Sequence, residues 1–199
     1  GGARLASEDP LGEKVDDPFD EVLARNDAGK QAIARLVAQR ITPGSTVFLE
    51  SGTTTYHVAT ELQAAELTVV TNSLRIADLL TSASGVELIM LGGHINREYM
   101  STQGAAATSE LANLQIDVAV LGCSGVGRRA VVRDTDPRGR EIKRAACKQA
   151  SLVILVADHE KFPGIGAYNA IDIADVDLVV TDLPIPSSFP SLPAEVLHP

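Results

Sequence analysis

The chain has 199 residues, of which 45% are hydrophobic and 22% charged, with 16 glycines and 10 prolines. That is the composition of one globular domain, with or without an arm, and it is long enough to bury its own core. A net charge of −9 and an isoelectric point near 4.9 argue against a chain that itself grips nucleic acid.

Residues 1–16 are polar, aperiodic and glycine-containing, and they read as an arm or linker remnant without the apolar core of a secretory signal. A helical pattern follows, with Asp17 as N-cap, Pro18 at the first helical position and Glu21 in the first turn. Phe19, Val22 and Leu23, then Ile33, Leu36, Val37 and Ile41, recur at helical spacing. Gly29 is a candidate interruption, and Thr42-Pro43-Gly44 is the stop. Apolar β-rich runs then come at 46–50, 67–71, 86–91, 116–121, 151–157 and 176–181. Helix-compatible stretches lie at 55–64, 74–83, 105–114 and 137–149. Continuous Val/Ile/Leu runs alternating with helices predict an α/β fold, a mainly parallel sheet flanked by helices. Five of the ten prolines fall at 184, 186, 190, 193 and 199, so 17–182 is the expected domain and 183–199 an irregular tail.

No apolar run approaches the ~20 residues that span a membrane. Cys123 and Cys147 stand far apart with no metal-ligand spacing, as in a reduced, cytoplasmic protein. The histidines at 57, 94, 159 and 198 form no ligand cluster, so no metal site is expected. Arg128, Arg129, Arg133, Arg138, Arg140, Lys143, Arg144 and Lys148 crowd into one segment of this acidic chain. They read as a solvated helix face or as an anion site.

Open α/β sheets bind ligands beyond the carboxyl ends of their strands. The runs end here in Ser51-Gly52-Thr53-Thr54-Thr55, Thr71-Asn72-Ser73, Gly92-Gly93-His94, Gly122-Cys123-Ser124-Gly125, Asp158-His159-Glu160-Lys161 and Thr181-Asp182. All are small, polar or glycine, as suits an edge built around a polar ligand. At 51–55, Gly52 permits a sharp turn or a close approach. The amides that open the next helix lack intrahelical partners and carry partial positive charge, and threonine hydroxyls add donors. A phosphate fits there, whereas a simple cap needs only one hydroxyl. Other templates fail. There is no G-x-G-x-x-G after the first strand and no G-x-x-x-x-G-K-[ST], and GCSGV lacks the second glycine that would make Ser124 a nucleophile. Cys123 reads as a small, partly buried side chain.

The segments TVFLESGTTT, LTVVTNSLRIADLL, VELIMLGGHIN, IDVAVLGCSGV, EIKRAA, LVADHEKF and VDLVVTD come in the order and spacing of the effector-sensing domain of DeoR-type transcriptional repressors, which the chain resembles over about 18–182. The resemblance implies a fold related to ribose phosphate isomerase and CoA transferases. It also implies a phosphorylated sugar or sugar alcohol as effector, no cofactor and a homo-oligomer. Operator DNA would be met through a missing N-terminal winged helix-turn-helix rather than through this chain. The opening Gly-Gly-Ala reads as the end of that missing domain or as a cloning scar. By position, Gly52, Thr53, Thr54 and Thr55 would form the phosphate loop. Asn72, Ser73, Gly92, Gly93, Ser124 and Gly125 would line the sugar side, and Lys143 and Lys161 would supply cations.

The chain departs from the family at Gly127, at 131–133 and at 136–141, where Arg138 replaces a usual acid. Arg133 and Arg138 are candidate extra anion contacts. A sugar-phosphate isomerase on the same scaffold is the alternative reading, and it needs a carboxylate base. The strand-end loop that is acidic in such isomerases, GCSGVG, holds none, although Asp134, Asp136, Glu141 and Asp158 lie nearby in sequence. The expectation is therefore a sensor that binds without turnover.

Overall fold

The computed structural model describes residues 18–199. The expected arm at 1–16 and the expected cap Asp17 lie outside the described residues. The first helical pattern divides into α1 (Phe19–Ala24) and α2 (Asp27–Ala38). Between them Asn26 takes a left-handed conformation (φ 47°, ψ 41°), which asparagine tolerates better than most residues. Its side-chain amide donates to Asp182 Oδ2 at 2.8 Å. The break therefore falls at Asn26 rather than at Gly29, which lies inside α2. A methyl group at Gly29 would sit 2.6 Å from both the Asn26 side chain and the Asp182 carboxylate, so glycine makes room for this tether.

Seven parallel strands form the central sheet: β1 (Thr46–Leu49), β2 (Leu67–Thr71), β3 (Val86–Met90), β6 (Ile116–Leu121), β9 (Ala150–Val156), β11 (Leu178–Val180) and β12 (Glu195–Leu197). Their spatial order is β12-β11-β9-β6-β1-β2-β3. Side chains alternate between two buried faces, as the strand period of two requires. Val47, Leu49, Val118, Val120 and Ile154 meet Ile33, Val37 and Val58 on one side. Phe48, Ala119, Leu121, Val153 and Leu155 meet Leu111, Ile142 and Ala146 on the other. The crossovers are α3 (Thr53–Glu61), α4 (Leu74–Leu80), α5 (Ala105–Leu111) and α6 (Pro137–Gln149). α6 starts cleanly because Asp136 Oδ1 accepts from the Arg138 amide at 2.9 Å and Pro137 opens the first turn.

Two smaller sheets were not predicted. β4 (His94–Asn96) and β5 (Ser101–Gln103) make a hairpin, while β7 (Gly125–Gly127), β8 (Val131–Asp134) and β10 (Tyr168–Asp172) form an antiparallel sheet. The tail is not wholly irregular. Phe189 is buried edge-on against Phe162, with ring centroids 5.5 Å apart, and β12 pairs in parallel with β11 at the sheet edge. No helix among the described residues is long and apolar enough to cross a membrane.

Candidate functional site

From β1 the chain winds outward through β2 and β3, and from β6 it winds the other way through β9 and β11. The strand order thus reverses between β1 and β6, and a crevice opens beyond the carboxyl ends at such a point. A cavity of about 500 Å³ lies there. Glu50, Ser51 and Gly52 follow β1, Gly122 to Ser124 follow β6, and Asp158, Glu160 and Lys161 follow β9. Asn96, Tyr99 and Gln103 of the hairpin complete one wall, and Asp134, Thr135, Asp136 and Lys143 another.

The start of α3 faces this space with Thr53 and Thr54. Gly52 is its N-cap and provides no side-chain cap, so the first-turn amides have no side-chain acceptor. Gly52 itself is extended (φ 173°), a backbone open to any residue, so the expected sharp turn is not its role. A methyl group there would press to 3.2 Å on Thr55 Oγ1.

Beneath the cavity lies a buried ion group. Lys143 Nζ is 2.5 Å from Glu50 Oε1 and 2.9 Å from Asp134 Oδ2, and the Gly122 amide donates to Glu50 Oε2 at 2.9 Å. Burial pushes the Glu50 carboxyl up to about 7 against the pull of Lys143. Burial works against the Lys143 ammonium, yet Asp134 and Glu50 together hold it above its ordinary value. On another side Lys30 is buried and donates to the Val22 carbonyl, and burial lowers its pKa although Asp158 opposes the shift. The Cys123 thiol, pushed up to about 12 by burial, is no thiolate at neutral pH.

Six of the sequence-predicted residues line the cavity: Gly52, Thr53, Thr54, Ser124, Lys143 and Lys161. The other six support it. Thr55 is fully buried and its hydroxyl donates to the carbonyls of Glu50 (2.6 Å) and Gly52 (2.9 Å). Asn72 Oδ1 accepts from the Ser51 amide at 2.9 Å, and its Nδ2 donates to the Thr102 carbonyl at 3.1 Å. Ser73 caps α4 by accepting from the Ile76 amide at 3.2 Å. The Gly92 amide donates to the Glu110 carboxylate at 3.1 Å, and Gly93 leads into the hairpin. Gly125 lets its backbone pass Gly164, where an added Cβ would stand 2.4 Å from that residue. Of the departing segments, Asp136 and Gly139 reach the cavity, as does the neighbouring Asp134, whereas Arg133, Arg138 and Glu141 do not line it. Arg138 Nε turns to Asp136 Oδ1 at 3.2 Å.

Sequence reasoning missed Arg25, Lys30 and Glu50. Glu50 carried a signal: a carboxylate closing an apolar buried strand needs a partner, and E-x-K in α6 supplies one. Arg25 and Lys30 carried none, since the bend at Asn26 is what brings them in.

Fold and site together define a parallel-sheet domain with a polar cavity at its topological switch point. The family model described as the DeoR C-terminal sensor domain matches residues 25–183, and the chain belongs to that family. It is 33% identical over 153 residues to the HTH-type transcriptional repressor GlcR of Bacillus subtilis (strain 168), covering 77% of this chain and 59% of that protein. It is 33% identical over 189 residues to the glycerol-3-phosphate regulon repressor of Escherichia coli (strain K12), covering 94% and 73%. A third relative, the transcriptional repressor AccR of Agrobacterium fabrum (strain C58 / ATCC 33970), is 33% identical over 159 residues, covering 79% and 62%. The matched part thus spans between 59% and 73% of these relatives' lengths. Among solved structures, eIF2B beta from Chaetomium thermophilum is similar in fold, with TM-score 0.58, 17% identity and coverage of 80% of this chain and 50% of that one. A D-ribose-5-phosphate isomerase in complex with phospho-erythronic acid gives TM-score 0.50, 16% identity and coverage of 68% and 53%.

Proposed function

We propose that this chain is the effector-sensing part of a DNA-binding transcriptional repressor. It binds a phosphorylated sugar or sugar alcohol in the switch-point cavity and does not turn it over. The observation that carries this reading is the uncapped start of α3, which opens with Thr53 and Thr54 into a cavity that Lys30 and Lys161 also line. Amides, hydroxyls and ammonium groups lining one cavity suit a phosphate. A relative named for the glycerol-3-phosphate regulon agrees with a small phosphorylated effector.

Occupancy then shifts the population of an oligomer between two arrangements and changes the operator affinity of an attached DNA-binding domain. Such a regulator acts in the cytoplasm. Thermal unfolding with a panel of phosphorylated sugars and their unphosphorylated parents tests the binding. One phosphorylated sugar raises the midpoint, its parent does not, and Thr54→Glu removes the shift; a shift that survives Thr54→Glu refutes the phosphate loop.

A second reading, isomerisation, draws on Glu50, whose pKa near 7 would suit a general base. Both of its oxygens are engaged, one by Lys143 and one by the Gly122 amide, which favours binding over proton transfer. Turnover of the bound sugar phosphate that disappears in Glu50→Gln would establish the enzyme instead.

A further inference from the structure

We infer that the cavity selects a monophosphate whose remaining groups are uncharged hydroxyls, with the Glu50–Lys143–Asp134 ion group rejecting ligands that carry a second anion. This rests on the phosphate reading above and adds the chemistry of the ligand's other end. Two carboxylates share one ammonium in this group, at 2.5 and 2.9 Å, and the side chains are only 4% (Glu50 and Lys143) and 11% (Asp134) exposed. The group therefore carries a net negative charge when both carboxylates are ionised.

Its hydrogen-bonding inventory is unbalanced in the same direction. Two carboxylates offer about eight lone-pair sites, while an ammonium brings three donors. The Gly122 amide adds one more. The surplus is acceptor-only, which suits ligand hydroxyls and repels a carboxylate or second phosphate. Lys143 cannot turn to such an anion without leaving two buried carboxylates unpaired. The other lysines of the cavity, Lys30 and Lys161, both interact electrostatically with Asp158. The cavity lining thus combines an anion-suited helix start and two lysines with an acceptor-rich ion group.

The test compares matched ligands on the full chain by calorimetry at pH 8, above the value of about 7 to which burial lifts the Glu50 carboxyl, so that both carboxylates of the group are ionised. For each of several hexoses and hexitols, the 6-phosphate is set against its 1,6-bisphosphate and against the corresponding aldonic acid 6-phosphate, with inorganic phosphate as the minimal probe. Like charges brought together in a site that excludes water repel each other strongly. The doubly anionic ligands should therefore bind on the order of 100-fold more weakly than the tightest monophosphate. Glu50→Gln should narrow that ratio at least about tenfold, one unit of charge being removed from the group. Asp134→Asn serves the same purpose if Glu50→Gln fails to fold. A structural role alone would lower all affinities together and leave the ratio unchanged. Binding that Thr54→Glu abolishes, but in which the bisphosphate or the acid equals the monophosphate, overturns this inference and spares the phosphate loop. An unchanged ratio in both folded variants overturns it as well. If no phosphorylated compound binds, or binding is indifferent to Thr54→Glu, the phosphate reading falls and this inference falls with it.

Discussion

Glu50 shows how one residue joins stability to the site. Its carboxyl is buried beside Lys143 and Asp134 and accepts from the Gly122 amide, and burial lifts its pKa from the ordinary 4.5 to about 7. Between those values the folded protein keeps a proton that the unfolded chain has released. Stability therefore falls as pH rises from about 4.5 to about 7, and this contribution is level above that. Lys143, held above its ordinary value, stays charged throughout the interval and adds no slope of its own. Glu50→Gln should remove this component: the difference in unfolding free energy between wild type and variant, measured by urea titration at pH 5 and at pH 8, should move in the variant's favour at the higher pH. A difference that stays constant across that range would show that Glu50 is ionised in the folded protein at both pH values.

At the scale of elements, α1 is both a wall of the cavity and a lightly attached piece. Phe19 is buried edge-on against Tyr56 of α3, with centroids 6.0 Å apart, and the Arg75 guanidinium lies 5.6 Å above its ring. Arg75 also meets both oxygens of the exposed Asp20, at 2.8 and 2.6 Å, a surface pair worth up to about 1 kcal/mol. Deleting a buried phenylalanine ring costs about 3–5 kcal/mol where the structure must bear the loss. A six-residue helix at the edge can undock instead and cap that cost. Phe19→Ala should therefore leave amide protection in β1 and β6 intact while residues 19–24 lose theirs. Ligand affinity should fall with it, because Val22 and Arg25 leave the cavity wall. Protection of 19–24 that is unchanged by hydrogen exchange would contradict this. The elements themselves were unequally legible. β1, β2, β6 and β9 announced themselves through full apolar runs, and α6 as a helix-compatible stretch at 137–149. β12, with three residues among prolines, and β7, written Gly-Val-Gly, carry too little side-chain pattern to read, since tertiary pairing rather than propensity makes them strands. The α1–α2 break was misplaced for a related reason: the left-handed Asn26 is held by Asp182, 156 positions away in the chain.

On the scale of the whole molecule, the cavity gathers residues from Val22 to Ile165, which explains how far the sequence could reach. Strand-end residues such as Thr53, Thr54, Ser124 and Lys161 were readable because a parallel sheet delivers all its carboxyl ends to one edge. Asn72, Ser73 and Gly92 sit at that same edge, but β2 and β3 lie on the far side of β1 from the switch point, so these residues brace the site rather than line it. A site assembled from so much of the chain exists only when the sheet is complete, so ligand binding must be linked to global unfolding. At 100 times its dissociation constant, a ligand that binds only the folded state adds about 2.7 kcal/mol. The linkage separates two kinds of substitution. Ile154 is fully buried on the α2–α3 face of the sheet and does not line the cavity, so Ile154→Val should cost about 0.5–1.5 kcal/mol and leave the ligand's increment unchanged. Thr54→Glu should erase the increment whatever it does to the unliganded protein. Denaturant titrations of the wild type and both variants, with and without the phosphorylated sugar, give all six free energies. An increment that shrinks in Ile154→Val as much as in Thr54→Glu would mean that the ligand reads the packing of the sheet rather than the start of α3.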